Sequence, residues 1–321
     1  MKDHLGRNIN YIRVAVTDRC NLRCRYCMPP EGVAPKKHED ILRYEEIEAV
    51  LRECVDLGIN RFRLTGGEPL VRKGITGFIE RLRAMPGAPE INLTTNGILL
   101  GEYAAGLKKA GVSNLNVSLD TLDPEKYAEF TCGGDLKAVL AGIEEAYRQN
   151  FDKIKLNVVV MRGFNDGELD GFMELIRRRE LYLRFIELMP IGEAKKEENR
   201  YISTEEIVGK LPPLARAETE SGTGPAEYYR TEGYAGFVGF IHALSRSFCG
   251  DCNRLRLTAD GKLIPCLHAD TEIDLKPCLR PPDREKIRQA IVRAVEAKPE
   301  KHELSAKKTS QNTRYMNQVG G

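Results

Sequence analysis

Several features are missing from this sequence, and each absence narrows what the protein can be. No apolar run approaches the roughly 20 residues that a membrane-spanning helix needs. The N-terminal stretch MKDHLGRNINYIR lacks the apolar segment of a secretory signal. Neither sign of charge is in excess, because 49 Lys and Arg residues face 47 Asp and Glu residues for a net charge of +2. We therefore expect a cytoplasmic protein that binds neither nucleic acid nor membrane.

Cysteine, by contrast, is plentiful, and its distribution along the chain is uneven. The 321 residues are 41% hydrophobic and 30% charged, which suffices for a sizeable core in one large domain or two ordinary ones. Of the nine cysteines, six fall into two tight clusters, one near each end of the chain. A chain without an export signal is not expected to pair them as disulfides. The five histidines show no spacing typical of a catalytic triad.

The hydrophobic period alternates between strand and helix through the first two-thirds of the chain. Strands are predicted at 11–17, 61–66, 91–95, 114–119, 153–160 and 182–189, with helices at 44–58, 74–84, 102–111, 135–150 and 166–179. Six such units predict an α/β fold, an incomplete (βα)6 barrel of the TIM type, over residues 1–215. Shorter strands, a hairpin turning on Asp260-Gly261 and one helix then predict a C-terminal α+β domain over residues 216–321, which ends in a polar tail.

The first cysteine cluster has the spacing C-x3-C-x2-C and follows the first predicted strand. Cys20, Cys24 and Cys27 would therefore lie at the C-terminal mouth of the barrel, where active sites are built. Three thiolates can each bind one iron of a [4Fe–4S] cubane and leave the fourth iron open. The alternative is a zinc knuckle that takes a fourth ligand such as His38, although zinc favours other spacings.

The second cluster has the spacing C-x2-C-x13-C and contains Cys249, Cys252 and Cys266. By spacing alone, a structural zinc ribbon with Cys278 as fourth ligand competes with an iron–sulfur cluster. Arg254 and Arg256 follow at once and alternate on one strand face, so both can point towards a ligand. Their alternative role is in surface salt bridges.

Six blocks of the sequence resemble the GTP 3′,8-cyclase family of radical S-adenosylmethionine (SAM) enzymes. They are TDRCNLRCRYCMPPEG, RLTGGEPLVR, NLTTNG, NVSLDTL, LRFIELMPIG and FCGDCNRLRLTADGKLIPCL, in this order. The resemblance extends from about residue 9 to the end of the chain. One departure is Thr131-Cys132, ahead of two glycines, where the family more often has a basic residue.

The resemblance implies a lyase with SAM and two [4Fe–4S] clusters as cofactors. Such an enzyme converts GTP to (8S)-3′,8-cyclo-7,8-dihydroguanosine 5′-triphosphate, the first step of molybdenum cofactor biosynthesis. A 5′-deoxyadenosyl radical would take hydrogen from C3′ of GTP. The implied partners are cyclic pyranopterin monophosphate synthase downstream and an electron donor such as flavodoxin or ferredoxin, and a homodimer is allowed.

The resemblance also assigns roles to residues at matching positions. The cluster ligands would be Cys20, Cys24 and Cys27 for the first cluster and Cys249, Cys252 and Cys266 for the second, whose open iron would face guanine. SAM would contact Tyr26, Gly67, Ser118 and Met189, and GTP would contact Arg13, Arg63, Thr94, Lys155, Arg254, Leu255 and Arg256. The terminal pair Gly320 and Gly321 would reach into the active site as catalytic residues.

Charged side chains on barrel strands need a partner or a polar cavity. Arg13, Arg63 and Lys155 therefore either pair with carboxylates such as Glu68 and Asp120 or form a cationic cavity suited to a triphosphate.

Two other classes of protein remain open. One is a different radical SAM enzyme, such as a peptide maturase, which a four-ligand second cluster including Cys278 would favour. The other is a non-enzymatic zinc or electron-transfer module.

Overall fold

The core of the protein is one continuous sheet. The computed structural model of the chain describes residues 1–217, 224–246, 248–302 and 314–320. The strands in these residues are β1 (Tyr11–Ala15), β2 (Arg61–Thr65), β3 (Glu90–Thr95), β4 (Val112–Ser118), β5 (Lys153–Val160), β6 (Tyr182–Glu187), β7 (Ala215–Arg216), β8 (Glu227–Arg230), β9 (Phe237–Ile241), β10 (Arg254–Leu257), β11 (Lys262–Ile264) and β12 (Ile273–Asp274). They are ordered β12-β11-β10-β1-β2-β3-β4-β5-β6-β9-β8-β7.

Helices lie between and after the strands of this sheet. They are α1 (Tyr44–Asp56), α2 (Ile75–Arg83), α3 (Leu100–Ala110), α4 (Pro124–Thr131), α5 (Leu136–Arg148), α6 (Leu169–Arg177), α7 (Thr204–Val208), α8 (Lys276–Leu279), α9 (Arg284–Glu296) and α10 (Met316–Val319). Strands β1 to β6 are parallel neighbours in chain order, which confirms the predicted incomplete barrel of βα units. Among the described residues, no helix has the length and apolar composition that a bilayer crossing requires.

The alternation along the strands separates the core from the barrel interior. In β5 every second side chain, including Ile154 and Leu156, is buried, while Lys155 and Asn157 lie between them on the other face. The first face packs under the helices in the main hydrophobic cluster because strand side chains alternate between the two faces of a sheet. The interior face is thereby left to polar side chains.

The C-terminal strands extend the barrel sheet at both edges. Strand β10 pairs in parallel with β1, and β9 pairs in parallel with β6. This differs from the expectation that the second cysteine segment is distinct from the barrel, because its strand continues the barrel's own ladder. The pairing puts Arg254 beside Tyr11 and Arg256 beside Arg13. The domain boundary predicted near residue 215 stays a prediction.

Helix α9 covers the outer side of this junction. It packs against α1, and its apolar side chains, among them Ile287 and Ile291, join the main hydrophobic cluster. Arg284 pairs with the buried Glu53 of α1 at 2.6 Å. C-terminal residues thus complete the core that the N-terminal residues begin.

Three helices, α4, α8 and α10, were not predicted from the sequence. Asp123 caps α4 by accepting hydrogen bonds from the backbone N–H groups of Glu125 and Lys126, and Pro124 stands at its first turn. These are ordinary start signals, but the helix lies between a strand and α5, where one helix suffices for a βα unit. Helix α10 lies in the segment that was expected to be an irregular tail.

Candidate active site

The interior face of the sheet encloses a polar cavity of about 400 Å³. Side chains from β1 to β6 and from β10 line it, together with both cysteine clusters. Of the predicted site residues, those in the lining are Arg13, Cys20, Cys24, Tyr26, Cys27, Arg63, Gly67, Thr94, Ser118, Lys155, Met189, Cys249, Cys252, Arg254, Arg256 and Cys266. The fold therefore brings together residues that are far apart in the sequence.

The first cysteine loop leaves β1 and turns back on itself at the cavity wall. The N–H of Cys27 donates to the carbonyl of Cys24 at 2.8 Å, and the end of α4 holds the loop through a hydrogen bond from the N–H of Arg23 to the carbonyl of Thr131 at 2.9 Å. Cys132 is exposed, outside the cavity lining. The Thr131-Cys132 segment thus supports the loop from behind.

The three thiols of this loop are crowded and poorly solvated. Burial raises the pKa of Cys20 to about 11 and that of Cys27 to about 12. Burial also raises the pKa of Cys24 well above its usual range, and the neighbouring Cys27 and Cys20 add to the rise. Metal ligation relieves this cost because a coordinated thiol gives up its proton outright. The donor set fits a [4Fe–4S] cluster, whose irons each take a different thiolate.

The turn after β2 is pressed against the start of the cysteine loop. The N–H of Gly67 donates to the carbonyl of Thr17, and the N–H of Glu68 donates to the carbonyl of Arg19, both at 2.8 Å. A Cβ on Gly67 would lie 2.2 Å from the Arg19 carbonyl oxygen. Only glycine permits this contact between two backbones. Glu68 is buried beneath the turn, where it accepts a hydrogen bond from Thr95 at 2.8 Å, and burial raises its pKa to about 7.

Replacing Gly67 by alanine is expected to displace the cysteine loop, because a backbone carbonyl cannot rotate away as a side chain does. SAM binding should weaken at least tenfold, which corresponds to a loss of about 1.4 kcal/mol. Equilibrium dialysis with the reconstituted protein measures this. The matched control is Gly77→Ala in α2, where an added Cβ meets no atom within 4 Å. Equal SAM affinity in the two variants would contradict the prediction.

The expected SAM contacts surround this turn. The hydroxyl of Tyr26 donates to the carboxylate of Asp120 at 2.7 Å, and its ring packs against Phe130 with centroids 5.5 Å apart. Asp120 is buried, and burial raises its pKa to about 6. Ser118 ends β4, and Met189 follows β6. All four expected SAM contacts, Gly67 included, line the same cavity.

The cavity also concentrates positive charge, because Arg13, Arg63, Lys155, Arg254 and Arg256 all line it. Burial lowers the pKa of Arg13 well below its ordinary value, and Arg256 is the next cause. Burial, followed by Arg184 and Arg63, lowers the pKa of Lys155 to about 7. Within the part of the chain that the structure describes, Arg13 Nε and Thr94 Oγ1 are buried without a hydrogen-bond partner. Such groups are costly, and an anionic ligand in the cavity would satisfy them.

Leu255 differs from its two arginine neighbours. It is 0% exposed and lies in the main hydrophobic cluster, since it alternates with Arg254 and Arg256 along β10. Its side chain therefore faces the core, and its place among the expected GTP contacts stays a prediction.

The second cysteine triplet faces the same cavity. Burial raises the pKa of the Cys252 thiol, but Arg254 and then Lys298 outweigh burial, so the pKa lies below its ordinary value. Cys278 is elsewhere: it is 6% exposed within the hydrophobic core, and its Sγ donates to the carbonyl of Leu275 at 3.0 Å. The alternatives that used Cys278 as a fourth ligand do not fit this placement.

The C-terminal segment reaches into the mouth of the barrel. Asn317 lines the cavity together with Cys27, and its side-chain amide donates to the carbonyl of Asp18 at 3.1 Å. Arg256 donates to the carbonyls of Val319 at 3.0 Å and of Gly320 at 2.5 Å. Gly321, the other expected catalytic residue, lies outside the described residues.

Sequence reasoning missed several cavity residues, among them Asn116, Arg184 and Asn317. Asn116 has a signal in the sequence, because it precedes Ser118 by two positions on β4 and must share its face. Arg184 has another signal, because it is a charged residue on a predicted strand, as Arg13 and Lys155 are. Asn317 had none, because the path of the terminal segment depends on tertiary contacts.

Comparisons with known proteins agree with this geometry. Residues 14–176 match the Radical SAM superfamily, and residues 181–304 match the family described as Molybdenum Cofactor Synthesis C. The chain is 49% identical to a GTP 3′,8-cyclase of Alkaliphilus oremlandii, with 100% of both chains covered. It is 50% identical to one of Moorella thermoacetica, also with 100% of both covered.

Among solved structures, Streptococcus suis SuiB bound to the precursor peptide SuiA superposes with a TM-score of 0.53 at 14% identity, over 83% of this chain and 62% of SuiB. That likeness shows the fold alone. The full-length identity to the cyclases and the two matching families lead to one conclusion: this chain belongs to the GTP 3′,8-cyclase family of the radical SAM superfamily.

Proposed function

We propose that this protein is a lyase that converts GTP to (8S)-3′,8-cyclo-7,8-dihydroguanosine 5′-triphosphate, the first step of molybdenum cofactor biosynthesis. One observation carries the proposal: a single cavity contains two cysteine triplets and the cationic side chains of Arg13, Arg63, Lys155 and Arg256. When bound, the first cluster and SAM supply a 5′-deoxyadenosyl radical, which takes hydrogen from C3′ of GTP so that this carbon adds to C8 of guanine.

The chain's own residues bind, orient and enclose the reactants. Arg13, Arg63, Lys155 and Arg256 would hold the triphosphate, since guanidinium and ammonium groups form charge-assisted hydrogen bonds to phosphate. Gly67 and the backbone of Tyr26 would hold SAM beside the first triplet. Sheet and terminal segment together exclude water, which would otherwise compete with the radical chemistry.

The second triplet, Cys249, Cys252 and Cys266, would hold another [4Fe–4S] cluster with an open iron towards guanine. Three cavity-facing thiols suit this group, and the core position of Cys278 disfavours a four-ligand site. We expect about eight irons per reconstituted chain rather than about four.

The titration of Lys155 predicts how GTP binding depends on pH. With a pKa of about 7, its amine is mostly neutral at pH 8, and the triphosphate favours the charged form. Binding therefore takes up about one proton, and GTP affinity should fall by about tenfold between pH 8 and pH 9. Phosphate is already fully ionised there.

Calorimetry of GTP binding at both pH values tests this dependence. Lys155→Met should bind GTP weakly and with little change between pH 8 and pH 9. Lys153→Met is the matched control, since Lys153 lies on the same strand and is absent from the cavity lining. A wild-type affinity that does not change with pH would contradict the prediction.

The direct test is an anaerobic incubation of reconstituted protein with SAM, dithionite and GTP. We expect 5′-deoxyadenosine that depends on GTP and a new nucleotide of unchanged mass, because the hydrogen lost to deoxyadenosine is replaced by one electron and one proton. Cys24→Ala should abolish both products, whereas Cys132→Ala, on an exposed thiol, should abolish neither. Deoxyadenosine that forms equally without GTP would refute the assigned substrate.

The remaining assignments follow from this chemistry. A one-electron donor such as flavodoxin or ferredoxin would supply the reducing equivalents, and cyclic pyranopterin monophosphate synthase would consume the product. Nine free cysteines and two oxygen-sensitive clusters favour a reducing compartment, the cytoplasm.

A further inference from the structure

A buried ammonium group lies beside the second cysteine triplet. Lys298 follows α9, and its side chain is 2% exposed. Its Nζ donates to the carbonyl of Arg254 at 2.8 Å and to the carbonyl of Pro265 at 3.0 Å. Lys298 also lines the cavity that contains Cys252 and Cys266. One side chain therefore joins the strand after Cys252 to the residue before Cys266.

The charge of Lys298 has no carboxylate partner among the described residues. Its two carbonyl acceptors are neutral, and a buried cation is costly unless an anion compensates it. Its Nζ lies between the segments that carry Cys252 and Cys266, both of which face the same cavity. A cluster ligated by three thiolates brings negative charge to this position, so the lysine is placed as its counter-ion.

A second cation fixes the segment that carries Lys298. Arg7 is 8% exposed and pairs with Asp3 at 2.6 Å. Its guanidinium donates to the carbonyl of Cys249 at 2.9 Å, to that of Lys298 at 3.3 Å and to that of Pro299 at 2.9 Å. The N-terminal arm thus holds the lysine segment against the first cysteine of the triplet.

We propose that Lys298 is a positioning residue for the second cluster, which holds the Cys252 and Cys266 segments together and raises the reduction potential of the cluster they bind. This rests on the proposed function, because it requires iron at the second triplet. A positive charge close to a cluster favours its reduced form, because reduction adds negative charge.

The test isolates the second cluster in the full chain by changing Cys20, Cys24 and Cys27 to alanine. In this parent we compare Lys298→Met, Lys298→Arg and Lys301→Met, the last at an exposed position three residues away. Iron content, thermal unfolding and an anaerobic redox titration followed by electron paramagnetic resonance are measured for each variant.

We expect Lys298→Met to be harder to reduce. At a fixed ambient potential its ratio of reduced to oxidised cluster should fall by about tenfold, equivalent to about 59 mV for one electron. The reduction potentials of Lys298→Arg and Lys301→Met should stay near that of the parent. Loss of iron from Lys298→Met alone would also support the proposal, because the arginine variant keeps the charge.

Two results would overturn this inference and leave the proposed function intact. One is an unchanged reduction potential with full iron content in Lys298→Met. The other is an equal loss of iron in Lys298→Met and Lys298→Arg. A parent that holds zinc in place of about four irons would instead refute the proposed function, and the inference with it.

Discussion

Replacing Arg13 by methionine is expected to weaken GTP binding by about a hundredfold and, at the same time, to stabilise the ligand-free protein. Arg13 is surrounded by Arg63, Arg254 and Arg256, and its Nε is buried without a partner. A lost charge-assisted hydrogen-bond pair to phosphate costs about 2.7 kcal/mol. Without the nucleotide, the same substitution removes repulsion and a desolvated charge.

The stabilisation should be about 1 kcal/mol in the free energy of unfolding, because an apolar side chain of similar length replaces a buried cation. Nucleotide-binding titrations and thermal unfolding without nucleotide test the two effects separately. Arg148→Met is the control, since this arginine is 67% exposed and pairs with Glu144 and Glu145 on the surface of α5. A variant that binds GTP normally, or that unfolds more easily, would contradict the account of the cationic cavity.

Replacing Gly320 by alanine is expected to separate SAM cleavage from product formation. Gly320 has a φ of +71°, and an added Cβ would lie 2.7 Å from Cγ2 of Thr65. The clash would lift the terminal segment from the cavity and remove a carbonyl from Arg256. A displacement of about 1 Å in an active site can cost about a hundredfold in rate. We expect the ratio of cyclised nucleotide to deoxyadenosine to fall at least tenfold.

Two further variants separate the clash from backbone strain. Gly6→Ala imposes the same strain, since its φ is +78°, but its Cβ would meet no atom within 4 Å. Gly6→Ala should leave the ratio of cyclised nucleotide to deoxyadenosine unchanged. Thr65→Ser combined with Gly320→Ala removes the clashing methyl group and should restore most of the product. Failure of this rescue, with normal folding, would show that the contact with Thr65 is not the cause.

The sequence predicts the site best where local periodicity and chemistry coincide. Cys20, Cys24 and Cys27 follow a strand at cluster spacing, so both their location and their chemistry follow from one short stretch. Arg13 and Lys155 are charged residues on strands, and this conflict with burial indicates a cavity. For the same reason strict alternation would have excluded the Leu255 side chain, since Arg254 and Arg256 occupy the opposite face.

What the sequence does not predict depends on pairing between distant segments. Nothing near Arg256 indicates that its strand lies beside β1, because parallel pairing has no local turn signal. Lys298 reads as an ordinary lysine after a helix, and its burial depends on carbonyls from β10 and the loop before Cys266. The hydrogen bond from the Asn317 side chain to the carbonyl of Asp18 likewise joins opposite ends of the chain.

The placement of β9 and β10 has a consequence for synthesis on the ribosome. Strands β1 to β6 emerge first, yet their outer partners are β10 and β9, and the apolar side chains of α9 are made later still. Until then the nascent chain presents two open edges of a parallel sheet and an uncovered α1, which are surfaces that recruit other strands and chaperones. The open edges of β1 and β6 are therefore covered after the C-terminal strands have been made.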